Sequence, residues 1–152
     1  MNKKKLKYRV TYLEMNRKPS FDWPKNLKHK LSILLAESFP AWYFLFFYKQ
    51  VGKNYYWTDW LRKSEDEIDE FVNDKNVLLY TLIKDGWPVG FYMLDYRKKD
   101  ICDLSFFGLV DEVIGIGLGK YLLQTAILTA WDNRKIKKLT VNTCSLDHKS
   151  AI

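Results

Sequence analysis

The chain has 152 residues, 47% hydrophobic and 28% charged, which suits one globular domain over 1–152 with a sizeable core and excludes a disordered chain. Seven glycines and four prolines exclude collagen-like and low-complexity sequence, and two cysteines exclude a disulfide framework. The net charge of +7 sits in residues 1–30, where ten Lys/Arg face two acids; the remainder holds fifteen against sixteen.

Lys7 to Met15 reads as a first strand, with Tyr8, Val10, Tyr12 and Glu14 on one side. A loop with two prolines follows, Asn16 to Pro24. Leu27, Leu31, Leu34 and Leu35 fall at 3.6-residue spacing and predict a helix over Lys25 to Ser38. Pro40 opens a short buried helix, Ala41 to Gln50, and Asn54 to Trp60 adds Tyr55, Tyr56, Trp57 and Trp60. Ser64 and Glu67 form a capping box ahead of a helix that buries Ile68, Phe71 and Val72. Val77–Lys84 and Pro88–Asp95 are strands joined by the Asp85-Gly86 hairpin turn. After the charged turn Arg97–Asp100 comes a long strand, Ile101 to Val110. The glycine-rich loop Gly115–Gly119 then leads into a helix from Lys120 to about Asn133, with Leu122, Leu123, Ala126, Ile127 and Ala130 as its apolar stripe. Lys138 to Leu146 is a strand, and Asp147 is placed to cap a further helix starting at His148. The order implies a mixed α/β (α+β) domain around one central sheet.

The basic N-terminal segment raises two partners, a nucleic acid and a membrane surface. No RNA-binding aromatic signature accompanies it, and a solvated lysine-rich leader explains it as well. The longest apolar run, Ala41 to Tyr48, is eight residues, far short of the ~20 of a membrane span. No secretory signal follows the first lysines, so the cytoplasm is the expected compartment. Two His and two Cys without ligand spacing suggest no metal site.

The informative stretch runs from Ser105 to Lys120, where a strand enters a loop of alternate glycines, Gly115, Gly117 and Gly119, that opens a helix. Glycines expose main-chain N–H groups, and a helix N-terminus adds free amides and a positive dipole end, together an anion site suited to a pyrophosphate. Packing alone also produces such turns. The dinucleotide fingerprint fails because the spacing is G-x-G-x-G, late in the chain. A P-loop fails because Ile114 stands at its first Gly position and Tyr121 at its Ser/Thr position.

At these residues the chain resembles the GNAT superfamily of acyl-CoA-dependent N-acetyltransferases. Their Q/R-x-x-G-x-G/A signature maps onto Ile114, Gly117 and Gly119, with Ile in place of Gln/Arg. Leu13-Glu14-Met15, Val51-Gly52 with the Trp-rich stretch behind it, Gly90-Phe91-Tyr92, Leu94-Asp95, Phe107-Gly108-Leu109, Trp131 and Thr143 to His148 resemble one bacterial subgroup. The resemblance implies a mostly antiparallel sheet flanked by helices, with two parallel strands, Ile101–Val110 and Lys138–Leu146, splayed into a V that holds acetyl-CoA as co-substrate. Ile114, Gly115, Ile116, Gly117, Leu118, Gly119 and Lys120 would bind its pyrophosphate. Phe107, Gly108 and Leu109 would pair with the pantetheine arm, and one of their amides would polarise the thioester carbonyl. A primary amine would attack directly in a ternary complex, giving up its proton to a base.

Three residues are candidates for that proton work. Asp103 lies on the strand where relatives often carry Glu, and alternation puts it on one face with Ser105, Phe107 and Leu109. Glu112 could act from the loop, although an acid before a helix start is common for capping. His148 stands where many relatives have an Asn that contacts CoA. Cys144 reads as a small buried residue rather than as an acyl-carrying nucleophile. The aromatics between Trp42 and Trp60 line either the acceptor site or the core.

Relatives continue past the last residue with a helix carrying a Tyr used as general acid, and with a final strand pair. The resemblance therefore implies that this last helix and strand pair, roughly 20–30 residues, are missing. That leaves the edge of Lys138–Leu146 to lie bare or to be covered by a second chain, making a homodimer possible. Two rivals to catalysis remain, a non-catalytic acyl-CoA-binding module and a nucleic-acid-binding protein using the basic segment.

Overall fold

A computed structural model describes residues 5–26 and 28–151. The first four residues of the basic segment, and Leu27 of the expected leucine stripe, lie outside them. The strands are β1 (Val10–Met15), β2 (Leu31–Ala36), β3 (Val77–Lys84), β4 (Trp87–Asp95), β5 (Ile101–Leu109) and β6 (Lys138–Cys144); the helices are α1 (Ala41–Gly52), α2 (Glu65–Val72) and α3 (Leu118–Asn133). The six strands form one sheet in the order β1-β6-β5-β4-β3-β2, antiparallel except for β5 and β6.

Local chemistry builds most of these elements as expected. Ser64 Oγ accepts the Glu67 amide at 3.2 Å, and the Glu67 carboxylate accepts the Ser64 amide at 2.8 Å, so the capping box starts α2. The β3–β4 hairpin turns through Asp85 and Gly86 with φ of 52° and 89°, the left-handed pair a tight hairpin needs. Each face of the sheet has its own core. On one face α3 lays Leu118, Leu122, Ala126 and Ala130 on Tyr92, Leu94, Cys102 and Leu104. On the other, α1 and α2 bury Phe44, Phe47, Ile68 and Phe71 against Leu79, Phe91 and Met93. Phe44 and Phe47 are wholly buried, which stabilises the fold by about 1.5–3 kcal/mol each. The α1 aromatics are therefore chiefly core, while Trp42 and Tyr56 stay exposed.

Four expectations are corrected. Residues 31–36 form strand β2 in place of the helix read over Lys25 to Ser38, pairing antiparallel with β3 from Leu31↔Lys84 to Ala36↔Leu79. Leu31 and Ile33 pack toward the α3 core, an alternation that a short apolar run hides from helical spacing, and without β2 the buried β3 would be an edge. The outer edge of β6 is not bare, because β1 pairs with it from Val10↔Cys144 to Met15↔Leu139. Helix α3 begins at Leu118, inside the glycine run, with Gly117 as its N-cap at φ 87°. Beyond β6 the described residues form turns and no helix, so Asp147 caps none, and His148 closes the last turn, its Nδ1 accepting the Ser150 amide at 3.2 Å and its carbonyl the Ala151 amide at 2.8 Å. Among the described residues, no helix is long and apolar enough to cross a membrane.

Candidate functional site

Strands β5 and β6 pair only at Ile101↔Lys138, Cys102↔Leu139 and Asp103↔Thr140. Beyond Asp103 they part, although β5 runs on to Leu109 and β6 to Cys144. Along this gap β5 keeps its β4 partner on one edge and, among the described residues, has no strand on the other. The Val110 amide donates to the Val89 carbonyl at 2.9 Å, so alternation turns Gly108 toward β4 and the N–H and C=O of Phe107 and Leu109 into the gap. The V expected between these strands is present.

A bulge sits at the head of the gap. Met93 pairs with Phe106 but Leu94 pairs with Leu104, leaving Ser105 as the extra residue of β5. It breaks the alternation expected for Asp103, Ser105, Phe107 and Leu109. Leu104, Phe107 and Leu109 pack on the α3 core, while Phe106 packs on the α1 side. Gly108 also faces α1: a Cβ there would lie 2.2 Å from Val51 Cγ1, so only glycine lets the helix approach this closely. Asp103 thus faces the α1 side, away from Phe107 and Leu109. Its Oδ1 accepts from Thr140 Oγ1 at 2.6 Å and its Oδ2 from Ser105 Oγ at 2.9 Å. The carboxylate is pinned where the strands part, with lone pairs left on both oxygens.

At the far end of β5 the chain makes a 3-10 turn (Asp111–Val113) and enters the glycine loop. Gly115 and Gly117 have φ of 89° and 87°, and a Cβ at either would meet nothing within 4 Å, so the loop surface is open. The Ile114 amide donates to the Asp111 carbonyl at 3.2 Å. Among the described residues, none accepts from the amides of Gly115, Ile116 or Gly117, and the first amides of α3 have no partner within the helix. Ile114 and Ile116 are exposed, so each contributes main chain rather than a packed side chain. Lys120 is exposed in the first turn of α3 and adds positive charge.

The segment after α1 straps the two arms together. Asn54 Nδ2 donates to Asp111 Oδ2 at 2.7 Å, and Lys53 Nζ lies 3.6 Å from the same oxygen. Trp57 Nε1 donates to Asp147 Oδ1 at 3.2 Å, while Asp147 Oδ2 accepts from Thr143 Oγ1 at 2.8 Å and the Cys144 amide at 2.7 Å. The Trp57 ring stands edge-on to Phe106, and Tyr55 edge-on to His148 at 6.3 Å. Burial first, then the charges of Asp111 and Asp147, push the Tyr55 hydroxyl above its usual range, so it stays protonated at neutral pH.

The other sequence candidates fall out as follows. His148 is half-buried against this strap; with Nδ1 occupied as an acceptor, its neutral imidazole carries the proton on Nε2 and acts there as a donor. Glu112 is exposed on its turn, with no hydrogen bond or ion pair among the described residues; its neighbour Asp111 makes the contacts instead. Cys144 is half-buried rather than buried, and burial holds the Cys102 thiol up at about 12, so it stays protonated at neutral pH. Sequence reasoning missed Thr140, Asp111 and the contact role of Asp147. Only the position of Asp111 between a strand and a glycine loop signals such a contact.

No protein-family model matches the sequence, and no curated protein does so. Solved structures do match. A GCN5-related N-acetyltransferase from Kribbella flavida superposes with a TM-score of 0.64 at 12% identity, over 95% of this chain and 53% of that one. A functionally unknown conserved protein from Staphylococcus epidermidis gives 0.57 at 14% identity, over 83% and 47%. A GNAT family acetyltransferase from Elizabethkingia anophelis with acetyl-CoA bound gives 0.53 at 20% identity, over 73% and 63%. The chain thus spans about half the length of the first two. It has the GNAT fold, a mixed α/β sheet with one parallel pair.

Proposed function

We propose that the protein is an N-acetyltransferase of the cytoplasm that moves an acetyl group from acetyl-CoA to a primary amine. The observation that carries the reading is the set of open amides at Gly115, Ile116 and Gly117, at the end of an unpaired β5 edge. The stretch from Ile114 to Lys120 binds the pyrophosphate through those amides, the α3 N-terminus and the Lys120 charge. The pantetheine arm lies along Phe107, Gly108 and Leu109 as an added strand, bonding the groups of Phe107 and Leu109 that face the gap. A main-chain amide of this edge donates to the thioester oxygen as negative charge develops there.

The amine attacks the thioester carbon on the α1 side, where Asp103 is pinned. Asp103 takes the ammonium proton, directly or through a water, while Thr140 and Ser105 hold it in place. The C–N bond forms, the C–S bond breaks, and the CoA thiolate leaves, accepting a hydrogen bond from the Nε2–H of His148 and taking its proton from water. Glu112 is the alternative base, acting from the rim of the loop.

Isothermal titration with acetyl-CoA and desulfo-CoA, followed by thiol release on adding amines, tests the reading. Binding with thiol release supports it; failure of both ligands to bind overturns it. Binding without release supports the non-catalytic acyl-CoA module, which the double hydrogen bonding of Asp103 favours. Given turnover, Asp103→Asn lowers kcat at least tenfold with little change in acetyl-CoA affinity, whereas Glu112→Gln leaves both near wild type.

A further inference from the structure

Among the described residues the sheet ends at two edges, β1 and β2, and they are guarded differently. β1 carries Glu14, ion-paired to Lys138 at 2.8 Å, and is flanked by Arg9 and Arg17. β2 reads Leu-Ser-Ile-Leu-Leu-Ala, with no charge, proline or bulge to discourage another strand. Leu34 is 56% exposed and Leu35 41%, and α1 adds an exposed Phe46 on the same face as Leu34. The Asp85 amide donates to the Lys30 carbonyl at 3.0 Å, which sets the parity: Lys30, Ser32, Leu34 and Ala36 direct their main chain to β3, and Leu31, Ile33 and Leu35 direct theirs outward.

We propose that β2 pairs antiparallel with β2 of a second copy, about a twofold axis at Ile33, joining the two sheets into one. A twofold axis perpendicular to the sheet keeps each face continuous, so residues opposite one another must share a face. The register centred on Ile33 meets that condition and places Ile33 opposite itself, both outward main-chain groups exchanged. It sets Leu31 opposite Leu35 twice, Ser32 opposite Leu34, and Lys30 opposite Ala36, so no like charges meet inside the strand. Just beyond its ends, His29, whose amide donates to Asn26 Oδ1 at 3.1 Å, and Glu37 come into line as side chains at the rim, two complementary pairs per dimer that favour a second copy over an unrelated apolar strand. One strand pair is a small interface, so the dimer dissociates on the order of micromolar concentrations. The inference does not depend on acetyl transfer.

Sedimentation velocity over roughly 1–500 µM tests it, a range that brackets such an affinity. The wild type shifts from monomer to dimer across the series. Leu34→Lys, or Ser32→Lys should the first fail to fold by circular dichroism, weakens association more than tenfold. Leu13→Lys, at the β1 edge, leaves it unchanged. Glu37→Lys weakens it, and His29→Glu in the same chain restores it. A wild type that stays monomeric throughout, or one whose dimer is broken by Leu13→Lys and not by Leu34→Lys, overturns the proposal.

Discussion

Two regions of this fold solve opposite problems. On the α1 and α2 face, side chains do the work: Phe44 alone packs within about 6 Å of Tyr48, Trp60, Phe71 and Phe106, edge-on or tilted. At the gap and the glycine loop, side chains are absent, turned to solvent or, as at Phe107 and Leu109, packed on the α3 core, and the main chain is what remains on offer. Dense aromatic packing on one face holds β5 still, so that its unpaired edge keeps its shape without a partner strand. The difference teaches that stability and ligand binding are separable here. Substitutions in the first region should unfold the protein, and substitutions in the second should empty it.

The comparison breaks if that separation fails, and the sharpest case is Phe44→Ala. Removing a wholly buried ring linked to four others should cost about 3–5 kcal/mol, read as a large fall in the urea midpoint. Next comes Gly117→Asp. A carboxylate about 4 Å from a pyrophosphate charge costs on the order of 4 kcal/mol at the protein surface, so acetyl-CoA affinity should fall more than a hundredfold. The left-handed φ of Gly117 strains any other residue by about 1–2 kcal/mol, but a Cβ there meets nothing, so the melting temperature should move less than for Phe44→Ala. Gly108→Ala joins the two regions. Its Cβ overlaps Val51, so it should cost about 1–3 kcal/mol, and Val51→Ala in the same chain should recover part of that in a double-mutant cycle.

The smallest effect separates local from shared stability. Ser64→Ala removes the α2 cap and should cost about 1 kcal/mol without touching acetyl-CoA affinity. The Ser64 amide and hydroxyl hold the Glu67 carboxyl below its ordinary 4.5. A depressed carboxyl stabilises the fold above its unfolded value and loses that contribution as pH falls through the folded value. The melting temperatures of wild type and Glu67→Gln should therefore differ at pH 7 and converge once the pH has fallen through the folded value, which lies below 4.5. A gap that persists at low pH would show that Glu67 acts by packing and not by charge.

How much of this was legible in the sequence follows from range. Ser64 with Glu67, Asp85-Gly86 and the alternate glycines act on their own neighbours, and each appears where the pattern puts it. β2 was hidden because Leu31, Leu34 and Leu35 satisfy helical spacing as well as a strand, and only its place beside β3 decides between them. The cover that β1 gives β6 joins residues more than a hundred apart, which no local pattern encodes. The glycine loop and the free edge of β5 were readable because bare main chain needs particular residues. The face of Asp103 was not, because one extra residue at Ser105 turns every later side chain over. The strap from Lys53 to Trp57 was visible only as aromatic composition, since its partners Asp111 and Asp147 come from two other parts of the chain.

The most direct measurement follows the backbone amide resonances of a 15N-labelled sample as CoA is added. The amides of Gly115, Ile116 and Gly117 should move furthest, with Phe107 and Leu109 beside them, while α2 stays still. Saturable CoA binding that leaves those five amides unmoved would contradict the claim that exposed main chain at this loop and edge holds the ligand.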